Sequence, residues 1–528
     1  MDTSWSEQVK QFKSPWAVVA AFLLESREVK AAKCRRLRDE KNELKKQIKK
    51  QSRQLRRQEQ EISRLKQQVR KLEMQQYANS KSQVVTLPAD PPVGSHGYGP
   101  RMVTLAVNLA RAVGLRGAAR AIKTFFRWLG IQQKTPDWTA IRSWLGRLGI
   151  AAINEPLERA DDWIWMADHS NQIGPEKVLV VLGIRASQLP EPGTALKHED
   201  VRVVTVKPAV QWKREDMAKV YDQLAERFGT PRAVLVDGAV ELREGAVELR
   251  EGADCLKKRR SDTMVLRDFK HFAANVLKSL VGGDERFKEF TTQVGLARSA
   301  IQQTELAHLT PPSSKPKSRF MNLAATLRWA GVVLWLLEHP EAKSREGLTD
   351  ERLAEKLGWL RKFGKSLAVW QECQHVISLS VTFINEQGLY RGASVALRSK
   401  IAPTLVHDTS KQLAERLIKF VDEAEQQLNE GERLPMSTEI LESAFGLYKQ
   451  LERQQSKSGF TSLLACLPAL LKPTTADGVR KAFQRVSGED VKVWVKKHFG
   501  STVTSRRNAA YAEHKAALKS ATVQHAMT

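Results

Sequence analysis

Three consecutive short apolar runs near the middle of the chain constrain its fold most strongly. They cover residues 163–168, 178–184 and 201–206, and each is rich in β-branched or aromatic residues. Runs of this length and composition predict β-strands. An amphipathic pattern at 214–227 predicts a helix, and a fourth apolar run at 233–237 predicts another strand. We therefore expect an α/β sheet at the centre of the protein.

The same pattern continues for another fifty residues. A helix-prone segment follows the fourth strand, and then come a fifth predicted strand at 263–267 and a helix at 269–280. Three strands followed by helix, strand, helix, strand and helix predict a sheet partly covered on both faces. This is the element order of the ribonuclease H fold.

Two aspartates end predicted strands. Asp168 ends the first and Asp237 ends the fourth, and these two strands are neighbours in such a fold. Phosphodiester cleavage by two Mg²⁺ ions requires carboxylates from different strands at one point, where one metal activates the attacking oxygen and the other stabilises the leaving oxygen. Either aspartate alone could be a turn residue, but the pair in this order favours a metal site.

The charge of the chain indicates its partner. The 85 Lys and Arg outnumber the 59 Asp and Glu, which gives a net charge of +26 spread along the sequence. A nucleic acid is the partner that the charge predicts, because a basic surface neutralises phosphates and releases counterions. Double-stranded DNA is the form that the family resemblance described below implies. A ribosomal or acidic membrane partner would also suit the charge, but neither requires acids on strands.

Cysteine usage and hydropathy indicate the compartment. The four cysteines are far apart and form no CxxC pair, so neither a zinc site nor a disulfide framework is indicated. No run approaches 18 apolar residues, and the first residues lack a signal-peptide pattern. We predict a cytoplasmic, nucleoid-associated protein that does not contact a membrane.

A heptad pattern at 27–77 predicts a coiled coil and hence a homo-oligomer, most simply a dimer. The a positions are Lys41, Ile48, Leu55, Ile62 and Val69. The d positions are Leu37, Leu44, Gln51, Gln58, Leu65 and Leu72. A single solvated helix is the alternative interpretation, but the apolar a positions and the leucines at d favour the oligomer.

Three short predicted helices follow the coil, at 103–113, 117–129 and 136–148, with Thr135 as the N-cap of the third. Glycines at the turns and an exposed basic face suggest a helix-turn-helix module whose third helix reads DNA. The candidate DNA-binding residues are Arg116, Arg120, Lys123, Arg127, Arg142 and Arg147. An ordinary three-helix bundle is the alternative.

Four motifs in order give the chain a resemblance to a known family. They are Ala167-Asp-His-Ser170, Val236-Asp-Gly238, Val265-Leu-Arg-Asp-Phe-Lys-His271 and Ser437 to Lys449, which includes Glu439 and Glu442. The chain resembles cut-and-paste DDE transposases with a ribonuclease H-like core split by a helical insertion, as in the hAT superfamily and related bacterial insertion-sequence transposases.

The resemblance implies a catalytic triad of Asp168, Asp237 and Glu442 that binds Mg²⁺, or Mn²⁺ as a substitute. Glu439 competes with Glu442, because the two lie on a similar helical face. Lys449, two turns beyond Glu442, would contact DNA. The family reaction begins with hydrolysis at the transposon end to release a 3′-hydroxyl, which then attacks target DNA. For Asp268, a helix cap is the expected role. The alternative is that Asp268 and His271 form a pair that supports the triad or positions DNA.

Two other functions compete with an active transposase. One is a catalytically inactive, transposase-derived DNA-binding protein, and the other is a structure-selective ribonuclease H-like nuclease without end specificity. The intact acids argue against the first.

The expected fold class is multidomain and α-rich, with a coiled coil, a helix-turn-helix module and an α/β core interrupted by an all-α insertion. The predicted segments are an N-terminal segment at 1–26, the coiled coil at 27–77, a linker at 78–100, the helix-turn-helix domain at 101–155, the first part of the core at 156–284, the insertion at 285–430, the second part of the core at 431–475 and a basic C-terminal region at 476–528.

Overall fold

The computed structural model describes most of the chain, in several stretches. These are residues 16–80, 88–93, 97–173, 176–237, 246–313, 320, 323–339, 350–453, 460–499 and 506–515. The chain divides into two compact units, one of residues 1–87 with 128–132 and the other of residues 88–127 with 133–528. The described part is helix-rich and contains a small mixed sheet. Within it, no helix combines the length and the apolar character that crossing a membrane requires.

The first unit is dominated by one long helix, α1 (Trp16–Ser80), which contains the whole predicted heptad segment. Five of the seam residues have between 50% and 58% of their surface exposed: Leu37, Leu44, Ile62, Leu65 and Val69. A helix with such an apolar stripe on its surface gains stability when the stripe is covered. The coiled coil stays a prediction, and the side chains of Ile48, Leu55 and Leu72 lie outside the described residues.

The second unit contains the predicted sheet. Its strands are β1 (Trp163–Ile173), β2 (Glu176–Arg185), β3 (Arg202–Ala209), β4 (Ala233–Val236) and β5 (Met264–Arg267). The strand order is β3-β2-β1-β4-β5. β1, β2 and β3 pair antiparallel, whereas β4 is parallel to both β1 and β5. All five predicted strands are present, within two residues at most ends.

One face of the sheet packs on helices α4 (Arg214–Phe228) and α5 (Ala246–Arg259). Trp165 of β1 and Tyr221 of α4 are fully buried there, and their rings stack 6.3 Å apart. Because side chains alternate along a strand, Trp163, Trp165 and Ala167 face this core and Asp168 faces away from it.

Two helices precede the sheet in the second unit: α2 (Pro100–Trp128), whose last residue belongs to the first unit, and α3 (Trp138–Ile153). Gly114 interrupts α2 with φ 77° and ψ 171°, which confirms the predicted break between the first two helices. The predicted N-cap of the following helix, α3, is wrong. Asp137, not Thr135, is the N-cap of α3, and its carboxylate accepts from the amide of Ala140 at 2.7 Å.

Helix α3 is buried rather than exposed. Residues 144–150 are all buried, and they pack against residues 460–471 and the helices α15 (Ala476–Arg485) and α16 (Gly488–Phe499). Gly149 lies so close to this neighbour that an added Cβ would be 1.7 Å from the carbonyl oxygen of Ala465. Residues 144–150 therefore cannot lie in a DNA groove. Thr139 and Ser143, nearer the start of α3, are exposed, and for that part of the helix DNA reading stays a prediction.

The prediction of an exposed Arg147 is wrong for the same reason. Arg147 is 8% exposed, and its guanidinium donates from Nε to the carbonyl of Val486 at 2.8 Å and from Nη2 to that of Phe483 at 3.1 Å. The guanidinium also lies 3.7 Å from the centre of the Phe483 ring. Arg147 therefore joins α3 to the C-terminal helices and takes no part in an exposed basic face.

After β5 the described chain is almost entirely helical. The helices are α6 (Phe269–Val281), α7 (Glu285–Ile301), α8 (Leu323–Glu338), α9 (Asp350–Leu357), α10 (Gly364–Gln387), α11 (Ala393–Ile401), α12 (Asp408–Glu425), α13 (Glu439–Arg453) and α14 (Leu467–Leu471). This confirms the helical pattern predicted over 285–430. The pattern did not predict the two-stranded ribbon of β6 (Leu389–Tyr390) and β7 (Arg433–Leu434). That ribbon leads the chain back towards α13.

Candidate acidic site at the end of the sheet

Three aspartates lie next to each other on β1 and at the ends of β4 and β5. The prediction that Asp168 ends its strand is wrong, because β1 continues beyond it to Ile173 in its pairing with β2. Ala167 pairs with Val236, and Val236 pairs with Arg267. The next residue on each strand is an aspartate: Asp168, Asp237 and Asp268. Since the three strands are parallel and in register, their acids are brought to one level of the sheet.

Asp168 carries the clearest sign of crowding among these acids. Its Oδ1 accepts from the amide of His169 at 2.6 Å. Burial, and then the charge of Asp237, raise the pKa of Asp168 to about 7, with a smaller contribution from Glu442. A carboxyl that shares its surroundings with two other carboxylates is a candidate for binding a cation.

His271 lies between the acids. Its Nε2 is 3.4 Å from Oδ2 of Asp237 and 3.7 Å from Oε1 of Glu442, and its Nδ1 is 2.9 Å from Oδ1 of Asp268. Burial disfavours the imidazolium, but the hydrogen bond and charge of Asp268 and the charges of Asp237 and Glu442 outweigh it. The pKa of His271 is raised to about 9. At neutral pH this ring is therefore a cation inside the acid cluster.

Glu442 and Glu439, both in the first turn of α13, have different surroundings. Glu442 interacts with His271 and electrostatically with Asp168. Glu439 instead accepts from Nδ2 of Asn385 in α10 at 2.5 Å. Lys270 contacts both glutamates, with its Nζ 2.7 Å from Glu439 and 2.9 Å from Glu442. Glu442 thus belongs to the acid cluster, whereas Glu439 links α13 to α10.

Asp268 caps α6, as the sequence suggested: its Oδ1 accepts from the amide of His271 at 2.7 Å. Its second oxygen has a partner that the sequence did not indicate. Oδ2 accepts from the amide of Thr438 at 2.5 Å and from the Thr438 hydroxyl at 2.9 Å. The polar Asp-x-x-His spacing marked Asp268 and His271 as a pair, but no local signal pointed to Thr438.

The donor set of the cluster fits a hard divalent cation. Asp168, Asp237 and Glu442 supply carboxylate oxygens, which are the ligands that Mg²⁺ and Mn²⁺ prefer. The raised pKa of Asp168 and the imidazolium of His271 both reflect a need for positive charge at this point. In the described residues, however, no three His, Cys, Asp or Glu side chains are arranged to hold an ion as they stand. The fit is one of chemistry and location.

The predicted DNA-binding residues are not gathered on one surface. Arg116, Arg120 and Arg127 are exposed on the second half of α2, and Lys123 lies among them. Their spacing of four, three and four residues places them on one helical face. Arg142 is half-buried on α3, and Lys449 is exposed on α13.

Comparisons with other proteins do not identify the chain. No protein-family model matches its sequence, and no curated protein matches it significantly.

Proposed function

We propose that the protein is a Mg²⁺-dependent DNA transposase that cleaves transposon ends and transfers the strand to target DNA. The observation that carries the proposal is the meeting of Asp168, Asp237 and Glu442 around His271, from two strands and a helix far apart in sequence. The strand order β3-β2-β1-β4-β5, with β4 and β5 parallel to β1, supports a ribonuclease H-like core.

The helical segment between β5 and α13 supports the same proposal. Asp168 on β1 and Asp237 after β4 would need a third carboxylate, and we propose that it comes from α13, after the helices α7–α12. In this interpretation α7–α12 form the insertion of the core. The contact of α13 with β1 and the electrostatic effect of Glu442 on Asp168 support Glu442 as that third carboxylate.

Each side chain of the cluster has a defined part in the proposed reaction. Asp168, Asp237 and Glu442 would hold Mg²⁺, or Mn²⁺ in its place. Bound divalent ions would activate the attacking oxygen and stabilise the leaving oxygen. In the metal-free site, His271 would hold a proton beside Asp237 and Glu442 and so balance part of their negative charge. Lys270 neutralises Glu439 and orients Glu442.

DNA binding is proposed from the charge and from one exposed helical face. The net charge of +26 favours a polyanion, and Arg116, Arg120, Lys123 and Arg127 form a basic stripe on α2. This stripe replaces α3 as the proposed contact, because α3 is enclosed by the C-terminal helices.

A cleavage experiment tests the catalytic proposal. We expect the full chain with Mg²⁺ or Mn²⁺ to nick a plasmid that carries its gene with the genomic flanks, and to leave 3′-hydroxyls at the element ends. Asp168→Ala and Glu442→Gln should lower the single-turnover rate by at least about 1,000-fold while duplex binding survives.

Glu439→Gln is the matched comparison, since Glu439 neighbours Glu442 in the same helical turn. It should cleave far better than Glu442→Gln. Equal nicking by the wild type, Asp168→Ala and Glu442→Gln would contradict the triad. Cleavage of random duplex at the same rate would instead indicate a nuclease without end specificity, and binding without any cleavage would indicate an inactive derivative.

A further inference from the structure

Glu442 of the acid cluster follows Thr438, which lies 170 residues after Asp268 in the sequence, and hydrogen bonds between Asp268 and Thr438 join these two parts of the chain. We infer that Asp268 and Thr438 form a clamp that positions Glu442 for the reaction proposed above, so that Asp268 acts through α13 rather than on DNA. The inference rests on the proposed function for its kinetic consequence. Its structural part does not.

The clamp is built from backbone and side-chain hydrogen bonds at one point. Oδ2 of Asp268 accepts both from the amide of Thr438, at 2.5 Å, and from its hydroxyl, at 2.9 Å. Beside it, the amide of Phe269 donates to the carbonyl of Met436 at 2.9 Å. Asp268 and Thr438 are each 1% exposed. Hydrogen bonds to a buried carboxylate are stronger than neutral ones, and they leave a costly unpaired group when one is removed.

The position of the clamp relative to Glu442 explains its effect. Thr438 precedes α13, and its carbonyl accepts from the amides of Leu441 and Glu442 at 2.9 and 3.3 Å. Fixing Thr438 therefore fixes the first turn of α13, including the Glu442 backbone. Lys270, two residues after Asp268, then contacts the Glu442 carboxylate at 2.9 Å. The start of α6 thus positions the backbone of Glu442 through Asp268 and Thr438, and its carboxylate through Lys270.

Chain connectivity alone cannot provide this precision. Residues 268 and 438 are separated by the helices α6–α12, and closing so long a loop leaves many arrangements of its ends. A carboxylate that must meet two others within tenths of an ångström needs a local attachment. Oδ1 of Asp268 holds His271. One buried aspartate therefore orients both the imidazole ring of His271 and, through Thr438, the Glu442 side chain.

Thr438→Val and Thr438→Ser form the test, with Thr263→Val as a control. Valine keeps the shape of Thr438 but loses the hydroxyl bond, whereas serine keeps it. Thr263 is also 1% exposed, and its hydroxyl donates to the carbonyl of Pro231 at 2.8 Å at the opposite end of β5. In the full-length chain, Mn²⁺ affinity by calorimetry, hydrogen exchange of the amides 438–442, duplex affinity and the single-turnover cleavage rate are measured.

We expect Thr438→Val to weaken Mn²⁺ binding and slow cleavage by about 10- to 100-fold, with faster exchange at 438–442 and unchanged duplex affinity. Thr438→Ser should retain most of the Mn²⁺ affinity and of the cleavage rate, and Thr263→Val should change neither the Mn²⁺ affinity nor the cleavage rate. Wild-type Mn²⁺ affinity and wild-type exchange in Thr438→Val would overturn the clamp, whatever the cleavage result. Absence of cleavage in the wild type would contradict the proposed function and leave the binding and exchange results to decide the clamp.

Discussion

Asp168 bears an electrostatic cost that the rest of the fold must offset. Its pKa of about 7 means that the folded protein resists the ionised form, because the carboxyl is buried beside Asp237. The folded state therefore binds this proton more tightly than the unfolded state, and Asp168 lowers stability progressively as pH rises from about 4 to about 7. His271 acts in the same direction at higher pH: its stabilising charge is present below about 6.5 and is lost towards about 9.

Asp168→Asn should accordingly stabilise the metal-free protein. The difference between the ordinary pKa of 3.8 and about 7 sets an upper limit of about 4 kcal/mol at pH 8, and the gain should vanish below about pH 4. Chemical denaturation across this pH range measures it. The exposed Asp161→Asn is the control and should stay within about 0.5 kcal/mol of the wild type. A destabilised Asp168→Asn at pH 8 would contradict the crowding of the acids.

Individual residues differ in how well the sequence predicted them. Asp168 and Asp237 were identifiable because each directly follows an apolar run, a signal contained in its own neighbours, although β1 continues beyond Asp168. The link from Asp268 to Thr438 was not, since it joins residues that only the folding of the intervening helices brings together. Arg147 was misplaced because an arginine on a short helix usually faces solvent, and its carbonyl partners are more than 300 residues away.

Among the elements, α2 keeps the exposed basic residues that the sequence suggested, whereas the second half of α3 is buried. The second half of α2 presents Arg116, Arg120, Lys123 and Arg127 on one exposed face, whereas α3 forms a core with residues near 465 and 486. Local patterns predicted where the helices lie, since glycine breaks and apolar spacing are local. They could not predict which helix is enclosed, because that depends on α15 and α16 at the far end of the chain.

Reversing two charges of the α2 stripe should weaken DNA binding. Arg116→Glu with Arg120→Glu removes two phosphate contacts and adds repulsion, so duplex affinity should fall by at least about 10-fold at physiological salt, with a shallower salt dependence. Fluorescence anisotropy over a salt series measures both. The same reversal of Lys288 and Lys411, exposed on α7 and α12, is the matched control. Equal losses in the two double variants would show a general charge effect instead of a contact at α2.

At the scale of the whole molecule, the described residues include an exposed apolar stripe on α1 that a second copy of the chain would cover. The seam of α1 leaves Leu37, Leu44, Ile62, Leu65 and Val69 at least half exposed. Two such seams would cover each other in a coiled coil. The heptads predicted the helix of the first unit closely. Oligomeric state is a property of the pair and cannot be derived from one chain's helix.

Deleting residues 27–77 should lower the number of chains in the oligomer, as derived from its mass in light scattering. Ile62→Asp with Leu65→Asp should do the same in the full chain, because two charges in the seam oppose its burial. Gln60→Asp with Gln67→Asp, at the outward f positions, is the matched control and should keep the wild-type mass. If the number of chains per oligomer is unchanged in the deletion and in the seam variant, α1 is ruled out as the site of self-association.

The attachment of Arg147 to Val486 and Phe483 also affects how the protein forms during synthesis. A ribosome has made α3 long before it reaches the helices that enclose it, so the apolar side of α3 stays uncovered while more than 300 residues are added. A product that stops before residue 460 would display that surface permanently, which makes it prone to aggregation and degradation. Only a chain translated through α16 can complete this part of the fold.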